Sequence, residues 1–513
     1  VKHQYQAKKE YFSTVLNTNT NFFIETAMKR RDFLCSVVKA SAAVSGSCAA
    51  LHLPLFVDAA ETAPAPEYRK ALSKPLLNVA AQKKNDQPWI DYPTRTAGHL
   101  AGYKPKKDRK FNKYGGIPNT KTKKTGFWHV EKHQGRFWFV DPDGGLNIHR
   151  AVCTVSSGGA GDIQKKAFAE KFGKKSVWAE ETLKLLHENG FNGTGSWSDA
   201  AALSLAEFQK AHPKAHTLNL ALMGAYGRDR SVAVPGHRGY PNDCIFVFEP
   251  EFAKFCDESA AKQTAQYKDD PNFLGYFTDN ELPFRMNALE GYLKNENPDD
   301  PGRRAAEKWL AQRNRTKEQI EDKDRWEFLG YLGDTYSSIT ANAIRKCDPN
   351  HLVLGPRLYG DNRSRWQLMK GIAKHIDVIS FNYYGVWTPQ EQHTKGWTQQ
   401  TGKPFMTTEW YTKGMDSGLP NNTGAGWNVK TQRDRGLFYQ NYTLALLECK
   451  NCIGWHWFKY LDNDPTAKNA ELSNIDSNKG MVSNEYEPYS DLTALMKEIN
   501  EQVFDLIEYF DAE

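Results

Sequence analysis

Eight short apolar runs, most of them followed by a stretch of helical periodicity, constrain this chain more than any other feature. They occupy positions 148–155, 191–197, 217–223, 273–280, 352–357, 378–383, 404–409 and 453–458. Between them, Trp178, Thr182, Leu185 and Leu186 fall on one helical face, with Ser176 read as the N-cap and Gly190 as the stop. Phe328, Leu332, Ile339 and Ala343 make a second stripe, ended by Asp348-Pro349-Asn350, and 438–447 a third. Leu492, Leu495, Ile499, Val503 and Leu506 make a final outer helix. Eight strands interleaved with helices predict a closed parallel (β/α)8 TIM barrel over 126–513. The competing doubly wound open sheet wants a glycine-rich turn after its first strand, and none is present. The charged stretch 285–325 reads as an insertion after the fourth strand, built of short helices near the barrel mouth.

Ahead of the barrel, GFWHVEKHQGRFWFVDPDGG from Gly126 onward predicts a β-hairpin with turn residues at both ends. Positions 61–125 read as linker and N-terminal extension, opening on the Ala- and Pro-rich 59–66. Upstream, MKRRDFL from Met28 and the mildly apolar run after it resemble a bacterial twin-arginine signal over 28–60. Met28 is then the start, 1–27 an unstructured upstream extension, and the destination periplasmic or secreted. Replacing Arg30 and Arg31 by Lys is expected to hold the protein in the cytoplasm, and normal export of the double variant overturns this reading. The apolar run is too weak for stable membrane insertion.

Composition narrows the function classes. A net charge of +6, with 40% hydrophobic and 25% charged residues, is that of a globular chain. The Lys-rich stretch 104–124 carries no nucleic-acid motif and reads as a solvated surface, so no nucleic-acid partner is expected. Cys449 and Cys452 have CxxC spacing, but no second pair completes a zinc site, and they read as small buried residues. No HExxH, Walker loop or serine elbow is present, so neither metal nor cofactor is expected.

In a parallel barrel the strand C-termini form the reactive face. The fourth run ends Thr278-Asp279-Asn280-Glu281 and the seventh Thr407-Thr408-Glu409-Trp410. Two carboxylates thereby meet from opposite walls, as cleavage of a glycosidic bond requires: one protonates the leaving oxygen and the other attacks the anomeric carbon. Asn280 is placed to hydrogen-bond a sugar hydroxyl. Other run ends offer Trp197, Asp199, Arg357, Asn382, Tyr383, Trp455 and His456 as substrate-binding candidates, and Trp427, beyond the seventh run, offers a stacking platform. A tyrosine near the nucleophile is able to donate a hydrogen bond to it. Aromatic residues at 12% suit both a large core and sugar stacking. The expected partner is a polysaccharide or oligosaccharide substrate. A non-catalytic sugar-binding barrel is the alternative from another class.

GYFTDNEL from Gly275, the run TEWYTKGMDSGLPNNTGAGWNVKTQRDRGLFYQN from Thr408, GWHWFKYLDNDP from Gly454, FNGTGSWSD from Phe191 and the hairpin GRFWFVDPDG resemble glycoside hydrolase family 50, the β-agarases, within the large clan of retaining barrel glycosidases. The resemblance runs from about Gly126 to the C-terminus. It implies retaining hydrolysis of β-1,4 links between galactose and 3,6-anhydrogalactose, with Glu281 as acid/base and Glu409 as nucleophile. A β-glycosidase of another polysaccharide would use the same residues.

Overall fold

The computed structural model describes residues 62–64, 66–106, 109–119 and 121–512. The twin-arginine stretch and everything before it lie outside the described residues. Eight strands close into a barrel, every neighbouring pair parallel and in sequence order: His149–Val152, Gly193–Thr194, Ala215–Asn219, Phe273–Asn280, Leu352–Tyr359, Ile379–Asn382, Phe405–Glu409 and Cys452–Trp457. All eight overlap the runs read from sequence. Along the fourth strand only Asn280, at its C-terminal end, is not fully buried, as expected of a strand covered on both faces.

Two local boundaries differ from the sequence reading. The third strand stops at Asn219 rather than 223. The Asn219 side chain accepts from the Ala221 N–H at 3.0 Å, Ala221 adopts φ 51°, and Leu222–Tyr226 turns helical. The Asp279 carboxylate receives the Met223 and Gly224 N–H groups of this helix at 2.8 and 2.9 Å. The helix Lys175–Glu188 begins from Lys174, not Ser176, because Gly173 at φ 64° ends the preceding helix and releases Lys174 into extended backbone. Its buried face is Trp178, Ala179, Thr182, Leu183 and Leu186.

The predicted hairpin forms from His129–His133 and Arg136–Val140, joined by Gln134-Gly135, both at positive φ as a two-residue hairpin turn demands. With Leu146–Asn147 it makes a three-stranded sheet. Trp128 and Phe139 cluster with Ala215, Leu274 and Leu352, so this sheet plugs the N-terminal end of the barrel.

The extension holds more structure than a linker. Leu77–Gln82 and Ile90–Thr94 form an antiparallel hairpin, and the first of them pairs with Trp427–Val429, which in turn pairs with Thr412–Gly414. The loop after the seventh barrel strand is thereby built into a four-stranded sheet. Arg95, fully buried, makes a two-pronged contact of 2.8 Å to Glu448 and ties the extension to the helix Gln432–Glu448. The insertion folds as Ala288–Leu293 and Pro301–Ala311 before the long helix Asp322–Cys347. The six cysteines among the described residues, Cys449 and Cys452 included, are free, and five of them are buried. No described helix is long and apolar enough to cross a membrane.

Candidate active site

A cavity of about 850 Å³ opens at the C-terminal face of the barrel, and both Glu281 and Glu409 line it. They come from the ends of strands four and seven, which lie on different sides of the closed sheet. Three non-glycine residues lining the cavity, Thr154, Trp197 and Glu281, have φ of 54°, 60° and 51°. Left-handed backbone costs such residues about 1–3 kcal/mol each and collects where geometry is dictated by a site. At Glu281 it turns the chain sharply just beyond Asn280.

The two carboxylates sit in different surroundings. Glu409 forms an ion pair with Arg357 at 2.9 Å and accepts a hydrogen bond from Tyr384 Oη at 2.9 Å. Arg357 is fully buried. It also donates to Asn280 Oδ1 at 3.0 Å and to the Thr408 carbonyl at 2.6 Å, and its guanidinium lies 4.5 Å from the centre of the Trp197 ring. Glu281 Oε1 accepts only from Asn382 Nδ2, at 2.8 Å, and the same amide donates to Asn280 Oδ1 at 3.0 Å. Thr408 in turn donates to Asn382 Oδ1 at 2.9 Å. A continuous polar chain thus runs from Glu409 through Arg357, Asn280 and Asn382 to Glu281.

Burial raises the pKa of both acids. For Glu409 the Arg357 charge, the Tyr384 hydrogen bond and the Lys479 charge oppose that rise. For Glu281 the negative charge of Glu409 adds to it, and only the Asn382 hydrogen bond and the more distant Arg357 charge oppose it. The two carboxyls thus differ in what faces them: Glu409 has a cation and a hydroxyl donor against it, and Glu281 a neighbouring negative charge and one amide.

Asn280, Trp197, Arg357 and Asn382 are brought together as read from sequence. Trp197 is 44% exposed and lines the cavity. Five other candidates lie elsewhere. Asp199 caps the helix Ala200–Ser204 by accepting from Ala202 N–H and pairs with Lys175. Tyr383 points outward, its hydroxyl 2.9 Å from His393 Nδ1 and its ring against Trp397. Strand alternation makes the next aromatic, Tyr384, the one that reaches Glu409. Trp455 is fully buried and donates to Tyr439 on the helix Gln432–Glu448 at 2.9 Å. His456 is buried in the barrel interior, 3.0 Å from His149. Trp427, 7% exposed, stacks on Trp387 at 5.6 Å and packs against Tyr92 of the extension. It belongs to an inner strand of the four-stranded sheet and does not line the cavity.

The cavity also takes in His237, Tyr411 and Lys479, which the sequence reading missed, and Tyr359, at the end of strand five. His237 sits on a small hairpin, Val232–Val234 with His237–Gly239, in the connection after strand three. Its Nδ1 is 4.0 Å from Glu281 Oε2, and its Nε2 is 3.3 Å from Tyr359 Oη. The hairpin turn is held by Asn280 Nδ2 donating to Gly236 O at 3.3 Å and by Gly236 N–H donating to Glu471 at 2.8 Å. Loops from different strands thus meet over the cavity, an encounter that no local sequence pattern records.

No model of a known protein family matches the chain. Among individual proteins, β-agarase B of Vibrio sp. (strain JT0107) is 25% identical over 387 residues, 67% of this chain and 38% of that protein. β-Agarase A of the same strain is 24% identical over 389 residues, with the same coverage. The chain therefore spans well under half the length of these two relatives. Among solved structures, that of an exo-β-agarase shares the fold, with a TM-score of 0.64 at 20% identity over 79% of this chain and 69% of that one. The crystal structure of BpGH50 superimposes with a TM-score of 0.77 at 31% identity, over 88% of this chain and 99% of that one. At that identity, over essentially the whole length of BpGH50, the chain belongs to glycoside hydrolase family 50.

Proposed function

We propose that this chain hydrolyses the β-galactosidic links of agarose-type galactans by double displacement with net retention. Glu409 is the nucleophile and Glu281 the acid/base. The observation that carries the reading is the asymmetry of the pair. Arg357 and Tyr384 contact one carboxylate at 2.9 Å each, which favours its ionised form, while the other is buried with a single amide donor, which favours its protonated form. Protonated Glu281 donates to the leaving glycosidic oxygen as Glu409 attacks the anomeric carbon. Ionised Glu281 then takes a proton from the water that displaces Glu409. Asn280 Nδ2, with one N–H committed to Gly236, has the other for a sugar hydroxyl. Trp197 offers its face to the pyranose.

The substrate reading rests on the agarases among the relatives. Product analysis on agarose, porphyran and a plant β-galactan side by side tests it. Short neoagaro-oligosaccharides from agarose are expected, with the first-formed anomer retained by NMR. Activity on the plant galactan with none on either algal polymer rejects agarase and leaves a β-glycosidase of another polysaccharide. Inactivity on all three with retained sugar binding is the outcome for a non-catalytic barrel.

A further inference from the structure

A second cavity, of about 660 Å³, lies at the opposite, N-terminal end of the barrel. Its walls come from the residues that lead into strands two and three, from the first strand and from the last helix, Ser490–Asp511. Arg150 and Lys214 both line it, 6% and 4% exposed. Neither makes an ion pair with a carboxylate. Arg150 spends Nε on the Gly190 carbonyl at 3.0 Å and Nη1 on the Ile148 carbonyl at 3.1 Å; no hydrogen bond uses Nη2. Lys214 Nζ reaches the His212 carbonyl at 3.0 Å and His187 Nδ1 at 3.3 Å. The rings of His187 and His212 lie 4.4 Å apart on the same wall.

The carboxylates on the cavity wall do not compensate this charge. Asp505 is taken by Arg109, and Glu501 pairs with Lys497. Both basic side chains are therefore buried in the wall of one cavity with no carboxylate paired to either. Burial and the Arg150 charge lower the pKa of Lys214 to about 7, and burial lowers that of Arg150 to about 10. Uncompensated burial of paired cations is costly unless something anionic completes the arrangement. A guanidinium edge and an ammonium lining one cavity are a donor set that tetrahedral oxyanions take. The space far exceeds a single oxyanion, and Phe111, 46% exposed and 5.6 Å from Phe504, adds an aromatic face at its edge.

We propose that Arg150 and Lys214 form a second ligand site, remote from the catalytic cavity, for a tetrahedral oxyanion. The ligand is either the sulfate ester of a galactan unit or free inorganic sulfate or phosphate. The oxyanion follows from the donors alone; naming a galactan ester rests on the function proposed above.

Calorimetric titration of the full chain with galactose 6-sulfate, galactose, inorganic sulfate and phosphate, at ionic strength fixed with chloride, tests the site. At least one oxyanion is expected to bind, and neutral galactose is not expected to bind there. Lys214→Met and Arg150→Lys are each expected to weaken that binding about tenfold or more, as loss of a charge-assisted hydrogen bond does. Lys214→Met should turn over neutral galactan at the wild-type rate, which shows both that it folds and that the site is separate. Tighter binding of the ester than of the free anions assigns the galactan as source, and equal affinities assign the inorganic anion. Absence of binding by every oxyanion, or binding that neither variant weakens, overturns the proposal. Because calorimetry reads binding alone, failure of the hydrolysis assay leaves this test standing.

Discussion

Replacing Glu409 by Ala is expected to lower kcat by three or more orders of magnitude, about 4 kcal/mol of transition-state stabilisation. The variant loses the attacking atom, and Arg357, fully buried, loses the anion it pairs with at 2.9 Å. The vacated side-chain volume admits a small anion, and the Arg357 charge attracts one. Added azide is therefore expected to restore part of the turnover on an activated aryl galactoside. The glycosyl azide should have anomeric configuration opposite to the substrate, because azide attacks from the nucleophile's side and nothing displaces it. Kinetics with and without azide, with NMR of the product, make the measurement. A retained azide product would reassign Glu409 as the acid/base, and an unchanged rate would remove it from the mechanism.

Replacing Glu281 by Ala is expected to divide substrates by leaving group. Hydrolysis of a polysaccharide link, whose departing alcohol needs a proton, should fall by about 10²–10⁴-fold. Cleavage of an aryl glycoside with a strongly acidic phenol should be affected far less in the first step. Equal losses on both substrates would remove Glu281 as the acid. The pH profile of the wild type follows from the same pair. The proposed mechanism needs Glu409 ionised and Glu281 protonated, so a bell-shaped kcat/KM is expected, with limbs that belong to the coupled pair. The alkaline limb falls as Glu281 loses its proton, near pH 8, because burial and the neighbouring charge of Glu409 lift it to about 8. The acid limb falls as Glu409 gains a proton, above the usual carboxylate range, since burial outweighs the help of Arg357 and Tyr384. In Glu409→Gln the neighbouring negative charge is gone. Glu281 then loses its proton at lower pH, readable by titration of its carboxyl carbon with ¹³C NMR. A Glu281 pKa that stays put in Glu409→Gln would mean that the two groups do not share a site.

The eight-strand alternation, the hairpin and the two carboxylates were legible because each is written in local order. Strands buried on both faces read as continuous apolar runs, helices show period 3.6, and the ends of strands four and seven can be counted once the strands are counted. Facing was harder. Asn382 and Tyr384 face the cavity, while Tyr383 between them faces the helix Glu391–Thr401. Period-two alternation contains that information, but only after the strand's inward residue is known. Trp455 illustrates the same difficulty, since a tryptophan at a strand end packs outward on a helix as readily as it meets a sugar.

Other features are decided by tertiary structure alone. Trp427 became a wall of the fold because Leu77–Gln82, some 350 residues earlier in the chain, pairs with its strand. That extension lacks periodicity of its own because much of its order comes from edges supplied by the barrel loops. His237 approaches Glu281 because Gly236 is held by Asn280 from one strand and Glu471 from beyond another. The sequence by itself determined the barrel and which two carboxylates stand on its reactive face, because strand count and alternation are properties of neighbours along the chain. The difference in proton affinity between those carboxylates, and the buried cations at the other end of the barrel, were decided only by the tertiary structure. Desolvation and Coulomb energy depend on distance through space, which residue order does not record.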